Sequence, residues 1–268
     1  MPSNDAGLFL LFAAGKRPTR RALKDFASAQ HSVALTHDPA DDGFIHLVGN
    51  SPAAGEQAQP SQPQVADRVW VELLRDGLTF DLVGLAPGEA CDFPAIEHRF
   101  DLKEIPTGFR SEALQLSPGQ HLAGGRRSLP VVKGLVALAR DLTHHFDDLE
   151  AVVWPASMSV IGRRFFESVA TAWLEGGAFP ALGLTAFRET VDGALQSVGL
   201  DFWIGQELRL EPPISHDKVA ATRLGVRLIN QLILVGAMTQ AERVTAPDGS
   251  RLVMRPSTNG KFIRVWPD

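Results

Sequence analysis

The sequence has no tyrosine, one cysteine and no long apolar run, and each shortage excludes a class of protein. The absence of tyrosine excludes a phenolic acid or nucleophile. Cys91 alone cannot form an internal disulfide or a zinc site built on several cysteines. The apolar stretch of about eight residues at 7–14 is too short to span a membrane and lacks the basic start of a signal peptide. We therefore expect a cytoplasmic protein with no membrane partner.

The charge balance indicates that nucleic acid is not the partner. The 268 residues include 31 acidic and 26 basic side chains, a net charge of −5. Binding to phosphates needs a concentrated basic face, and the basic pairs of this chain are short and scattered. A hydrophobic content of 44% is ordinary for a globular protein.

Turn signals and apolar periodicity predict an α+β fold with antiparallel sheets and helices packed mainly on one face. Asp76-Gly77, Asp248-Gly249 and Asn259-Gly260 each separate two strand-like runs, which is typical of β-hairpins. Helical spacing of apolar residues predicts helices near 129–146, 159–175 and 215–236. Helices among hairpins favour α+β over a doubly wound parallel sheet.

The composition divides the chain into two α+β halves. One alternative is that the two halves are related to each other in fold. We expect an N-terminal half at 1–104, a connection rich in Gly, Pro and Ser at 105–127, and a C-terminal half at 128–268. A loop rich in Pro, Gln and Ala occupies 51–64. We expect the three helices of the C-terminal half to cover one face of a single antiparallel sheet.

The second half resembles a known bacterial family. Its order is a helix, "AVVW", a helix, "GL…F…GQEL", a long helix and a "DG" hairpin. This order is similar to the uncharacterised family called domain of unknown function 4261, over about residues 128–268. The resemblance implies an α+β fold and a bacterial source. It implies no activity and no catalytic residue.

Several motifs of cofactor and metal sites are incomplete or missing. A phosphate-binding loop ending at Gly15-Lys16 would need Ser or Thr at the next position, where Arg17 stands. The stretch 38–49 lacks the final glutamate of a calcium loop. The sequence contains no Gly-x-Ser-x-Gly, His-Glu-x-x-His or Gly-x-Gly-x-x-Gly motif. We therefore expect neither a cofactor nor a bound metal.

The densest titratable cluster is "DLTHHFDDLE", which contains His144, His145 and Asp148. One interpretation is a ligand or proton-transfer site, in which a third ligand would come from elsewhere: His98, His121 or His216. The other is a helix end, where the partial negative charge of the last turn favours histidine. We favour the helix end, and we keep these three residues as catalytic candidates.

Glu207, Trp203 and Trp154 are the other candidates. Glu207 follows the break at Gly205 and would suit a general acid or base if it lies in a cleft. The segment "GLDFWIGQEL" is expected to be a strand with Trp203 opposite the helices. That position places Trp203 at a contact between the halves or between two chains of a homodimer. Trp154 and Trp203 are the candidates for a ligand or partner surface.

Three classes of function follow from these features. The first is a non-enzymatic module that binds a protein partner or acts as an accessory protein. The second is a hydrolase-like enzyme that uses a cleft of His, Asp and Glu residues, which would show shifted pKa values. The third is a small-ligand sensor with an apolar pocket.

Overall fold

The computed structural model describes residues 7–39, 69–104, 110–246 and 248–268. The loop expected at 51–64 and the calcium-like stretch from residue 40 onward lie outside these ranges. Among the described residues, no helix has the length and apolar character needed to cross a membrane. The fold is α+β, as the sequence predicts, with strands arranged in two mixed sheets.

Within the described ranges, the first sheet has eight strands, in the order β2-β3-β4-β6-β1-β7-β8-β5. All of its pairs are antiparallel except β5 with β8. The strands are β1 Leu8–Ala13, β2 Val33–His37, β3 Trp70–Arg75, β4 Leu78–Val83, β5 His98–Phe100, β6 Ser111–Pro118, β7 Leu149–Trp154 and β8 Ser159–Gly162.

The part of the chain that the structure describes gives the second sheet six strands, in the order β12-β13-β14-β11-β10-β9, with β11 and β14 parallel. The strands are β9 Ala186–Glu189, β10 Leu195–Val198, β11 Glu207–Leu210, β12 Glu242–Thr245, β13 Arg251–Pro256 and β14 Phe262–Pro267. The helices are α1 Arg20–Ala29, α2 Leu129–His145, α3 Arg163–Leu174, α4 Ala181–Leu184, α5 Asp201–Ile204 and α6 Lys218–Val235. Short 3-10 turns occupy Gln120–Gly125, Pro155–Ser157 and Ile214–His216.

The central strand β1 is apolar on both faces. Leu8, Leu10 and Phe12 face the large core beneath the helices, while Phe9 and Leu11 face a smaller core on the other side. The smaller core is covered by chain segments between β4 and β6 that contribute Cys91, Phe93, Ile96 and Leu102. A strand buried on both faces needs hydrogen-bonded neighbours on both edges, and β6 and β7 provide them.

The expected single layer for residues 128–268 is wrong. Strand β7 pairs with β1 and β8 pairs with β5, so residues 149–162 belong to the first sheet. The expected connection at 105–127 also contains β6, which lies in the middle of that sheet. The division between the sheets therefore falls after α3, because the apolar strand "AVVW" completes the burial of β1 and is itself buried on both faces.

Most local predictions are confirmed. The turns at Asp76-Gly77 and Asn259-Gly260 join β3 to β4 and β13 to β14. Helix α2 occupies Leu129–His145, as expected. The helix predicted at 159–175 begins later, because 159–162 forms β8. Helix α6 is capped by Asp217, whose carboxylate accepts hydrogen bonds from two backbone N–H groups of the first turn.

Helix α6 covers one face of the second sheet. Its buried residues include Gly225, and a Cβ at that position would lie 2.7 Å from the Phe187 ring. This close approach lets the helix lie on β9 and β11. The leucines of β11 point toward α6, so the side chains that alternate with them lie on the opposite face of the sheet.

A buried ion pair fastens α2 to the first sheet. The Arg75 guanidinium donates a hydrogen bond to the Asp141 carboxylate, and both side chains are about nine-tenths buried. We predict that Asp141→Asn lowers the free energy of unfolding by about 3 kcal/mol, because it leaves the buried Arg75 guanidinium with only its longer ion pair to the exposed carboxylate of Asp76.

Denaturant unfolding checks this prediction. The matched control is Asp147→Asn, which removes an exposed carboxylate that pairs with Arg163 and should leave the free energy of unfolding nearly unchanged. Equal effects of the two substitutions would contradict the importance of the buried pair.

Candidate functional site

A cleft of about 490 Å³ lies between the two sheets. The 3-10 turn after β7 forms one wall, and the ends of β10 and β11 with the turn into β14 form the rest. The cleft is lined by Ala156, Met158, Arg188, Gln196, Ser197, Val198, Gly199, Asp201, Gly205, Glu207, Lys261 and Phe262. Glu207, a candidate from the sequence, therefore faces a cleft.

The carboxylate of Glu207 is held by four donors. Its Oε1 accepts hydrogen bonds from the backbone N–H groups of Gly199, at 2.7 Å, and Asp201, at 3.4 Å. Its Oε2 accepts from the Ser197 hydroxyl and from the backbone N–H of Leu200 at 3.3 Å. Glu207 thus fixes the turn that enters α5 and joins this turn to the start of β11.

Glycine is required where this turn meets the first sheet. Gly199 has a φ of +88°, and a Cβ there would lie 2.7 Å from the carbonyl oxygen of Ala156. The turn can therefore press directly against the 3-10 turn after β7. Gly205, with a φ of +76°, ends α5 and returns the chain to β11. These two glycines bring Asp201 beside Glu207.

The electrostatics of this pair favour a protonated carboxyl. Burial of Glu207 raises its pKa to about 7. The hydrogen bond and negative charge of Asp201 act in the same direction, against the donors Ser197 and Gly199. Near neutral pH a substantial fraction of Glu207 therefore carries a proton.

The side chain of Gln196 opens into the cleft. Gln196 is only 6% exposed, it lines the cleft, and no hydrogen bond joins its side chain to a residue that the structure describes. Buried amides are normally hydrogen-bonded. Two exposed cations, Arg188 and Lys261, also line the cleft, and neither forms an ion pair with a described residue.

Sequence reasoning missed Gln196, Arg188 and Lys261. The one available signal was the position of Gln196 between Leu195 and Ser197 in a short, otherwise buried strand. An amide in such a strand needs a partner, but the sequence does not show that its side faces a cleft.

The histidine cluster does not converge. His144 and His145 occupy the last turn of α2, so the helix-end interpretation is confirmed. The three candidates have different partners. His144 Nδ1 lies 2.7 Å from Glu167 Oε1, and Asp148 Oδ1 lies 3.9 Å from Lys16 Nζ. The His145 ring packs on the rings of Phe26 and Phe146. In the described ranges, no group of three or more His, Cys, Asp or Glu side chains is placed to hold a metal ion.

The two tryptophan candidates lie in an aromatic cluster beside the cleft. The predicted strand through Trp203 is wrong, because residues 201–204 form α5. Trp203 is partly buried and stacks on Trp154 of the first sheet, with ring centroids 5.9 Å apart. Trp154 is 1% exposed, so it belongs to the core and offers no surface.

The raised pKa of Glu207 makes the stability depend on pH. The ordinary glutamate value is 4.5 and the value in the folded protein is about 7. The folded state therefore holds the proton of Glu207 more tightly than the unfolded state does. This difference adds to the free energy of unfolding below pH 4.5, and the added stability is lost as the pH rises to 7. We predict a loss of about 3 kcal/mol over this window that is absent in Glu207→Gln.

Denaturant unfolding from pH 4.5 to 8 gives the free energy of unfolding of the wild-type protein and of Glu207→Gln at each pH. The loss is the change with pH in the difference between these two free energies. Glu150→Gln, at an exposed position of β7, is the control and should keep the wild-type slope. Parallel pH profiles for the wild-type protein and Glu207→Gln would contradict the raised pKa.

Comparison of the chain with protein-family models, with curated proteins and with solved structures finds no match in any of the three. The resemblance to the domain of unknown function 4261 therefore stays a prediction. The cleft itself carries the functional argument.

Proposed function

We propose that this protein is a ligand-binding module whose cleft takes a small zwitterion, a molecule that carries both an ammonium and a carboxylate group. Free amino acids and the ends of short peptides share this chemistry. The cleft volume of about 490 Å³ lies in the range of small-molecule sites and exceeds what a single ion needs. This function belongs to the sensor class expected from the sequence, and the ligand is expected to bind through the charged and amide side chains of the cleft.

The unpaired amide of Gln196 is the observation that carries this proposal. No described residue hydrogen-bonds this amide, and its atoms are accessible from the cleft, so a ligand that displaces water there can bind its donor and its acceptor. The amide N–H can donate a hydrogen bond to the carboxylate of an amino acid, and the amide oxygen can accept one from its ammonium group.

The charges of the cleft complement the two ends of a zwitterion. Arg188 and Lys261 are exposed cations that suit a carboxylate. The carboxyl pair of Asp201 and Glu207 suits an ammonium group. A nearby ammonium group favours the charged form of Glu207, so binding near pH 7 releases a fraction of a proton from this carboxyl group.

The hydrogen bonding of Glu207 favours binding over hydrolysis. Both of its oxygens already accept hydrogen bonds from the turn at 199–201 and from Ser197. A general base needs a lone pair free to accept the proton of its substrate. The arrangement therefore supports a fixed recognition surface, in which Glu207 positions Asp201 for the ligand.

We expect at least one of the twenty standard L-amino acids, or the dipeptide L-alanyl-L-alanine, to bind the full chain with measurable heat in isothermal titration calorimetry. Gln196→Leu, which removes the amide and keeps a similar volume, should weaken binding about tenfold. Gln231→Leu, on the exposed side of α6, is the matched control and should bind as the wild-type protein does.

Two further readouts test the chemistry. The heat of binding should differ between phosphate and Tris buffers at pH 7 in the wild-type protein, and this difference should vanish in Glu207→Gln. Tighter binding of the dipeptide than of any amino acid would identify a peptide end as the ligand, and the reverse would identify a free amino acid. No binding by any probe, or equal binding by Gln196→Leu, would overturn the proposal.

A further inference from the structure

A row of arginines crosses the face of the second sheet that points away from α6. The register aligns one residue from each of five adjacent strands, in the order Arg188, Gln196, Arg209, Arg264 and Arg255. Four intervals between strands give the row a length of about 19 Å. A single ion or a small molecule does not cover this length.

The row contains more positive than negative charge. Arg209 and Arg264 share the buried carboxylate of Glu211, and Arg209 also pairs with Asp192. The two arginines at the ends of the row, Arg188 and Arg255, are exposed and form no ion pair with a described residue. Four guanidinium groups therefore face two carboxylates, on a chain whose net charge is −5.

Aromatic side chains accompany the arginines. The Arg264 guanidinium lies 4.9 Å from the centre of the Trp266 ring. Phe262 is two residues before Arg264 in β14 and therefore lies on the same face of the strand. A depression of about 610 Å³ opens above them, lined also by Arg209, Arg255 and the turn at 256–259. Arginine and tryptophan are enriched among the residues that dominate protein–protein binding.

We propose that this arginine row is a docking surface for an acidic segment of a protein partner. The evidence is charge complementarity: the two unpaired arginines and the net positive row attract carboxylates, and guanidinium groups bind carboxylates in a bidentate geometry. The carboxylates of Glu211 and Asp192 already pair with Arg209 and Arg264, so the cations left for a partner are Arg188 and Arg255 at the two ends of the row. The surface therefore fits a protein segment that presents separated acidic side chains.

The docking surface overlaps the zwitterion cleft at one end, because Arg188 and Gln196 belong to the row and also line the cleft. The two depressions share Phe262, and Arg188 lies at the end of the row that borders the cleft. Arg209, Arg255 and Arg264 line only the larger depression. A substitution at Arg255 therefore changes the docking surface without removing a side chain of the cleft.

The test uses a fluorescein-labelled peptide of six glutamates, blocked at its N-terminus so that it has no ammonium group for the cleft. Fluorescence anisotropy with the full chain should show binding that weakens as sodium chloride rises from 50 to 200 mM. Arg255→Glu should weaken binding about tenfold. Arg223→Glu, at an exposed position of α6, is the matched control and should weaken it far less.

Both variants should fold, because Arg255 and Arg223 are exposed and their replacement disturbs no core. Circular dichroism checks that they do. Absence of salt-sensitive binding, or equal loss in both variants, would overturn the proposal. Tighter binding of a thymidine hexanucleotide than of the peptide, with the same sensitivity to Arg255→Glu, would also overturn it and would assign the face to nucleic acid.

Discussion

The fold depends on the burial of β1 on both faces. Its sequence "LFLLFA" has no polar side, so the strand needs neighbours on both edges and a core on both faces. Strands β6 and β7 occupy the two edges of β1. Because β7 is one of these neighbours, its sequence "AVVW" belongs to the first sheet although it lies in the C-terminal part of the chain. The 3-10 turn that follows β7 is thereby placed against Gly199 of the second sheet, where it forms a wall of the cleft.

Polar groups then build the site on this contact. Glu207 gathers the N–H groups of the turn at 199–201, which holds Asp201 at the cleft. The same carboxyl group is buried enough for its pKa to reach about 7. Structural support and sensitivity to pH thus arise from one side chain, and Gln196 remains beside it with its amide free for a ligand.

The sequence was sufficient for features that depend on near neighbours. The turn at Asp76-Gly77 requires two positive φ angles, which an Asp-Gly pair adopts readily, and the structure has them. Helix α2 follows from its apolar spacing, and its end follows from its two histidines. Glu207 was a candidate because it follows a glycine break.

Features that depend on distant partners were beyond the sequence. The apolar run of β7 fits any buried sheet, so its pairing with β1 was not predictable from its own residues. The segment 201–204 has the composition of a strand, but Glu207 and Gly205 fold it into α5. Gln196 became a candidate only when the structure showed its side chain in the cleft and without a partner.

The most direct test of the zwitterion site is nuclear magnetic resonance of the side-chain amides. With protein labelled with ¹⁵N, the Gln196 amide signals are followed during titration with amino acids and with the dipeptide. The account predicts a saturable shift of the Gln196 signals, while those of Gln231 on α6 stay in place. Gln196 signals that do not move with any of these ligands, or that move no more than those of Gln231, would contradict it.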